Sequence, residues 1–153
     1  MTLNTSQNQV EEIDIFDDPH KLEYLQTVNL SQNQIKEIPA IMLKNLLTLN
    51  LSGNQIAGAV KFTGHPSLKI LELRKNKLTS FAGIKNMPNL QELFAAENEL
   101  TSLEGLENLP SLTKLHIRKN PVFYILITCI DCQANDSAKI ASIRILEHER
   151  NAA

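Results

Sequence analysis

The chain has 153 residues, room for one domain and not comfortably for two, and at 42% hydrophobic and 21% charged it can bury a core. Aromatics are only 5% with no Trp, and 15 Lys+Arg against 17 Asp+Glu leave a net charge of −2, so neither base stacking nor a basic excess points to nucleic acid. Two cysteines cannot frame a disulfide scaffold, the first ten residues lack an apolar signal region, and the longest apolar run, nine residues from Val122 to Ile130, is far short of the ~20 that span a bilayer; the expectation is a cytoplasmic or matrix protein with no membrane partner.

In chain order, the first feature is a degraded copy of a unit that recurs later. Leu3 and Asn8 hold its fixed positions and Thr5 stands where an apolar residue belongs, so a partial first coil is expected. Residues 10–21 then carry Glu11, Glu12, Asp14, Asp17 and Asp18, a solvated acidic face or, alternatively, an interaction patch. Five full copies follow. They are Leu25-x-x-Val28-x-Leu30-x-x-Asn33, Leu46-x-x-Leu49-x-Leu51-x-x-Asn54, Leu68-x-x-Leu71-x-Leu73-x-x-Asn76, Leu90-x-x-Leu93-x-Ala95-x-x-Asn98 and Leu112-x-x-Leu115-x-Ile117-x-x-Asn120. Their asparagines are 21, 22, 22 and 22 residues apart. Two residues past each asparagine, the degraded one included, stands Val10, Ile35, Ile56, Leu78, Leu100 or Val122. Five past stands Ile13, Ile38, Ala59, Phe81, Leu103 or Ile125, and eight past, in the central copies, Ile41, Phe62, Ile84 or Leu106.

A phase-locked pattern of this kind resembles the leucine-rich repeat. The alternating L-x-L piece reads as a short strand with its leucines inward. The asparagine stands where the chain leaves the strand, and its amide can pair backbone groups of the next coil. Asn33, Asn54, Asn76, Asn98 and Asn120 are thus a candidate structural ladder. Apolar residues three apart, as in Leu100, Leu103, Leu106 and Leu109, suit a helix or 3₁₀ turn on the return half. Pro66, Pro88 and Pro110 stop that half two residues before the next leucine, and the shared phase of Gly83 and Gly105 suggests a required tight turn. The expected fold is α/β: a short right-handed solenoid of about six coils over residues 1–122, with a parallel concave sheet and a 3₁₀ or helical convex side. Residues 123–153 are expected to form a divergent cap or tail. The run from Val122 to Ile130 at their start is apolar and β-branched, and Ser137 is a candidate N-cap for a capping helix over residues 138–150.

Chemistry is sparse. Cys129 and Cys132 have the C-x-x-C spacing of a redox pair or half a zinc site, but the histidines at 20, 65, 116 and 148 are scattered, so two buried structural thiols are the simpler reading. With no glycine-rich phosphate loop and no catalytic arrangement, neither an enzyme, a cofactor nor a metal is expected. The outward strand positions are the candidate protein-binding face. Two strands offer small neutral groups there. The next three offer Ile70, Glu72 and Arg74; Glu92, Phe94 and Ala96; and Lys114, His116 and Arg118. Phe94, flanked by inward Leu93 and Ala95, is either an interface anchor or a residue packed on Ile70, Glu72 and His116 across strands. Arg74, Lys75, Arg118 and Lys119 favour an acidic partner, offset by Glu72, Glu92 and Glu97.

The period with N-x-[IL]-x-x-[ILF] resembles the intracellular class typified by the regulatory subunit of protein phosphatase 1. Leu71-Glu-Leu-Arg-Lys-Asn-Lys-Leu78, Ala82-Gly-Ile84 and the runs Leu103 to Leu109 and Leu112 to Asn120 resemble the leucine-rich-repeat proteins of ciliary radial spokes. That resemblance implies a structural part of a ciliary or flagellar axoneme, with axonemal subunits as partners and no catalytic residues. The phosphatase class implies instead a regulatory subunit gripping a phosphatase catalytic subunit in cytoplasm or nucleus.

Overall fold

The structure is a computed structural model that describes residues 1–12, 22–38, 41–60, 62, 64–121 and 144–145. A parallel sheet of seven very short strands forms one side, in the order β1 (Thr2–Asn4), β2 (Thr27–Asn29), β3 (Thr48–Asn50), β5 (Ile70–Glu72), β7 (Glu92–Phe94), β8 (Lys114–His116) and β9 (Arg144–Ile145). Between them β4 (Ala57–Ala59) and β6 (Lys77–Ser80) pair with each other on the return side. Each strand of the large sheet lies beside its equivalent in the next coil: Val28 opposite Leu49, Leu49 opposite Leu71, Leu71 opposite Leu93, Leu93 opposite Leu115. Alternation turns these central residues inward, where all are fully buried, and leaves both neighbours half-exposed. Each buried leucine contributes roughly 1.5–3 kcal/mol, and no coil gains it alone, because a coil's lid is the next coil.

The strands β1, β2, β3, β5, β7 and β8 stop after three residues for two reasons written at fixed phase. The residue just before each repeat asparagine is left-handed: Gln7, Gln32, Gly53, Lys75, Glu97 and Lys119 have φ between 53° and 70°. In the first three coils a second asparagine, Asn4, Asn29 or Asn50, accepts a hydrogen bond through Oδ1 from the backbone N–H two residues on, at 2.9–3.1 Å, closing the exit turn.

The repeat asparagines themselves are buried and bond backward. Oδ1 of Asn33, Asn54, Asn76, Asn98 and Asn120 accepts the N–H of Val10, Ile35, Ile56, Leu78 and Leu100 at 3.0 Å. Nδ2 of Asn76 donates to Leu51 O in the preceding coil (3.0 Å) and to Leu73 O in its own (3.1 Å), and the others repeat this. The partner is therefore the preceding coil, where the sequence suggested the next. A third row opens the strands: Asn45, Ser67, Asn89 and Ser111 donate from their side chains to the carbonyls of Glu23, Lys44, Pro66 and Pro88.

The return side departs most from expectation. Among the described residues the only helical segment is a 3₁₀ turn at Leu106–Asn108; elsewhere the return runs extended or in turns. Apolar spacing of three is shared by 3₁₀ turns and by extended backbone of the polyproline type, also three residues per turn, so spacing alone could not choose. Ala59 is exposed and Val60 is buried in its place, because the β4–β6 register shifts between Gly58 and Ala59. Gly105 is left-handed, with φ 104°, and a Cβ there would stand 2.0 Å from Phe81 O. Gly83, at the same phase, is not left-handed; Gly64 is, with φ 101°. The helix expected over 138–150 is corrected where it can be seen: Arg144–Ile145 is a strand beside β8. The sequence Ile143-Arg144-Ile145 satisfies a period of two as well as the helical one, and β-branched residues favour the strand. The rest of that segment, the apolar run 122–130, both cysteines and Asp14, Asp17 and Asp18 lie outside the described residues.

Candidate functional site

The outward face of the sheet is built in rows one residue type per strand. The lower row runs Thr27, Thr48, Ile70, Glu92, Lys114, and the middle row Asn29, Asn50, Glu72, Phe94, His116. The upper row, just past the strand ends, runs Ser31, Ser52, Arg74, Ala96, Arg118, tied by Gly53 N–H to Arg74 O, Lys75 N–H to Ala96 O and Glu97 N–H to Arg118 O. The first three coils present small neutral groups; from β5 onward the face becomes charged and aromatic.

Phe94 sits at the centre of that second half and is half-buried. The Arg74 guanidinium lies over its ring, 4.5 Å from the centroid, and the His116 ring, from the strand on the other flank of β7, stands 4.4 Å from it, tilted by 32°. Register puts Ile70 one row away, opposite Glu92, so the stack is Arg74–Phe94–His116 without Ile70. Such a cation–π contact is worth about 0.5–1 kcal/mol at a partly exposed site, which holds Phe94 in one orientation while a free part of its surface remains.

Three ion pairs surround the stack. Lys114 Nζ meets Glu92 at 2.8 Å, Lys119 meets Glu97 at 3.7 Å, and Arg74 meets Glu72 at 3.8 Å. His116 is held below the ordinary histidine pKa first by burial and then by the positive charges of Arg74 and Lys114, with Glu92 and Glu72 opposing. It is therefore neutral at pH 7, and its Nε2 is buried without a hydrogen-bond partner among the described residues.

A second histidine, which the sequence showed only as a scattered residue, is a core member. His65 is 1% exposed. Its Nε2 lies 2.8 Å from Leu43 O, and Ser67 N–H points at Nδ1 at 3.4 Å. Those partners assign the neutral tautomer with the proton on Nε2, and burial lowers the pKa further than the carbonyl raises it.

Among the described residues no three His, Cys, Asp or Glu side chains are grouped to hold a metal ion, and no helix is long and apolar enough to cross a membrane. The family model for leucine-rich repeats, in two copies, matches residues 25–63 and 88–146, which is more than half of the chain. No curated protein matches.

Proposed function

Because the chain belongs to the leucine-rich-repeat family, whose repeats form protein–protein interaction scaffolds, we propose that it is a non-enzymatic scaffold that binds a protein partner through the sheet face from β5 to β8, as a structural component of a ciliary or flagellar axoneme of the radial-spoke type. The observation that carries the binding face is the Arg74–Phe94–His116 stack: an aromatic held half-open at the centre of a sheet whose backbone is tied coil to coil. A surface already ordered loses little conformational entropy on association. The sequence resemblance of residues 71–84 and 103–120 supports the axonemal setting.

The second reading is a phosphatase-regulatory subunit in cytoplasm or nucleus, favoured by the repeat's resemblance to that class; there the same face grips a phosphatase catalytic subunit. Proximity labelling in ciliated cells, followed by salt fractionation of flagella, separates the two. Axonemal subunits among the labelled proteins and retention in the axoneme are the expected outcome. Full solubility together with recovery of a phosphatase catalytic subunit, lost on Phe94→Ala with Glu72→Lys, would replace the first reading with the second.

A further inference from the structure

The upper row of the binding face has a gap in its charge. Arg74 and Arg118 stand two strands apart, about 10 Å between backbones at the usual strand spacing, and only the half-exposed Ala96 lies between them. The ion pairs consume Glu72, Glu92 and Glu97 against Arg74, Lys114 and Lys119. Arg118 and Lys75, both exposed, are left with no acidic partner among the described residues. Of the three pairs, the one holding Arg74 is long, at 3.8 Å, and its guanidinium is spread on the Phe94 ring, which leaves its donors open to a second acceptor.

Resting on the reading of this face as a protein interface, we propose that the partner's contact segment is acidic, and that one of its carboxylates seats over Ala96 between Arg74 and Arg118, beside the edge of Phe94. A planar carboxylate matches the guanidinium fork, and charge-assisted bonds of this kind are the strong ones. Alanine has the shortest side chain of the three, so it is the position in the row that projects least between the two guanidinium groups.

A proton follows the carboxylate. The charges near His116 are Glu72 on β5 and Arg74 just past its end, Glu92 on β7 and Lys114 on its own strand, while β9 brings Arg144 opposite Lys114 along the backbone. Burial is the first cause that keeps the imidazole neutral and the positive charges of Arg74 and Lys114 the second; a carboxylate seated next to Arg74 offsets that second cause, so the His116 pKa rises on binding and the complex takes up a fraction of a proton. Binding therefore strengthens as pH falls through the histidine range, and each unit by which the pKa rises corresponds to about tenfold in affinity once pH lies below both values.

The test is selection of a random peptide display library on the full chain, with counter-selection on Phe94→Asp and on Phe94→Ala, each checked for native circular dichroism. The proposal expects Phe94-dependent peptides rich in Asp and Glu, weakened about tenfold or more by Arg118→Glu, as befits one lost charge-assisted bond. It expects tighter binding at pH 5.5 than at pH 7.5 in the unmodified chain and no such gain in His116→Gln. Phe94-dependent peptides that are neutral or basic would overturn the acidic partner and leave the interface standing. Absence of any Phe94-dependent peptide would sink the interface itself, and a flat pH profile in the unmodified chain would remove His116 from the site.

Discussion

Replacing Asn76 by alanine tests the ladder that joins the coils. The substitution removes the acceptor of the Ile56 N–H and the donors to Leu51 O and Leu73 O, at a residue only 7% exposed. A buried N–H without a partner costs about 1–3 kcal/mol, and the two carbonyls add less, since a carbonyl tolerates under-use. The expected loss is about 3–4 kcal/mol, a large share of the roughly 5–15 kcal/mol that a domain has. Because Asn76 joins two central coils, the loss falls on the interface that makes the stack cooperative. Urea unfolding followed by far-UV circular dichroism should show the midpoint falling sharply, and a shallower slope if the halves part company. Asn8→Ala is the matched control: its side chain is exposed and bonds only Thr5 and Ser6 of its own coil, so its cost should stay under about 1 kcal/mol. Equal losses at Asn8 and Asn76 would refute the reasoning, because the bonds between coils would then carry no more than a local turn does.

Acidification should weaken the fold through His65. Its folded pKa lies below the unfolded value near 6.5, so the unfolded chain binds the proton first; stability is fully present above about pH 6.5 and falls as pH drops below it, a slope that His65→Leu should flatten in urea midpoints taken from pH 7.5 to 5.5. Gly105→Ala, with its Cβ 2.0 Å from Phe81 O and φ 104°, should lower the thermal midpoint far more than Gly58→Ala, where nothing stands within 4 Å and only the backbone strain at φ 74° counts, about 1 kcal/mol. Phe94→Ala should cost about 1 kcal/mol of stability, the worth of the stack it leaves, against about 2–5 kcal/mol for core Leu93→Ala; comparable losses in denaturant titrations would make Phe94 a core residue and not an interface one.

The strands and the ladder were legible because both follow a repeat: five copies of L-x-x-L-x-L-x-x-N fix the inward leucines, the outward rows and the asparagine phase at once. Phe94 and its surroundings could be placed on the outer face by alternation alone, but Arg74 as its stacking partner could not, since that contact depends on a long side chain reaching back across a strand. The missed features share a cause. The left-handed residue before each asparagine is Gln, Lys or Glu in five coils and Gly in one, so composition gives no sign of a φ that position imposes. The row Asn45, Ser67, Asn89, Ser111 mixes two residue types that share only a short donor. On the return side the expected 3₁₀ turn forms at Leu106–Asn108, while the other described coils run extended or in turns on the same spacing, because a period of three fits two backbones.

Oxidative footprinting of the chain in complex with a captured partner tests the binding face most directly. Phe94 and His116 should be protected from hydroxyl radicals in the complex, while Tyr24 and Met42, 72% and 59% exposed and outside the strands, should react as they do in the free chain. Protection of Tyr24 and Met42 with Phe94 and His116 unchanged would place the partner elsewhere and contradict the account.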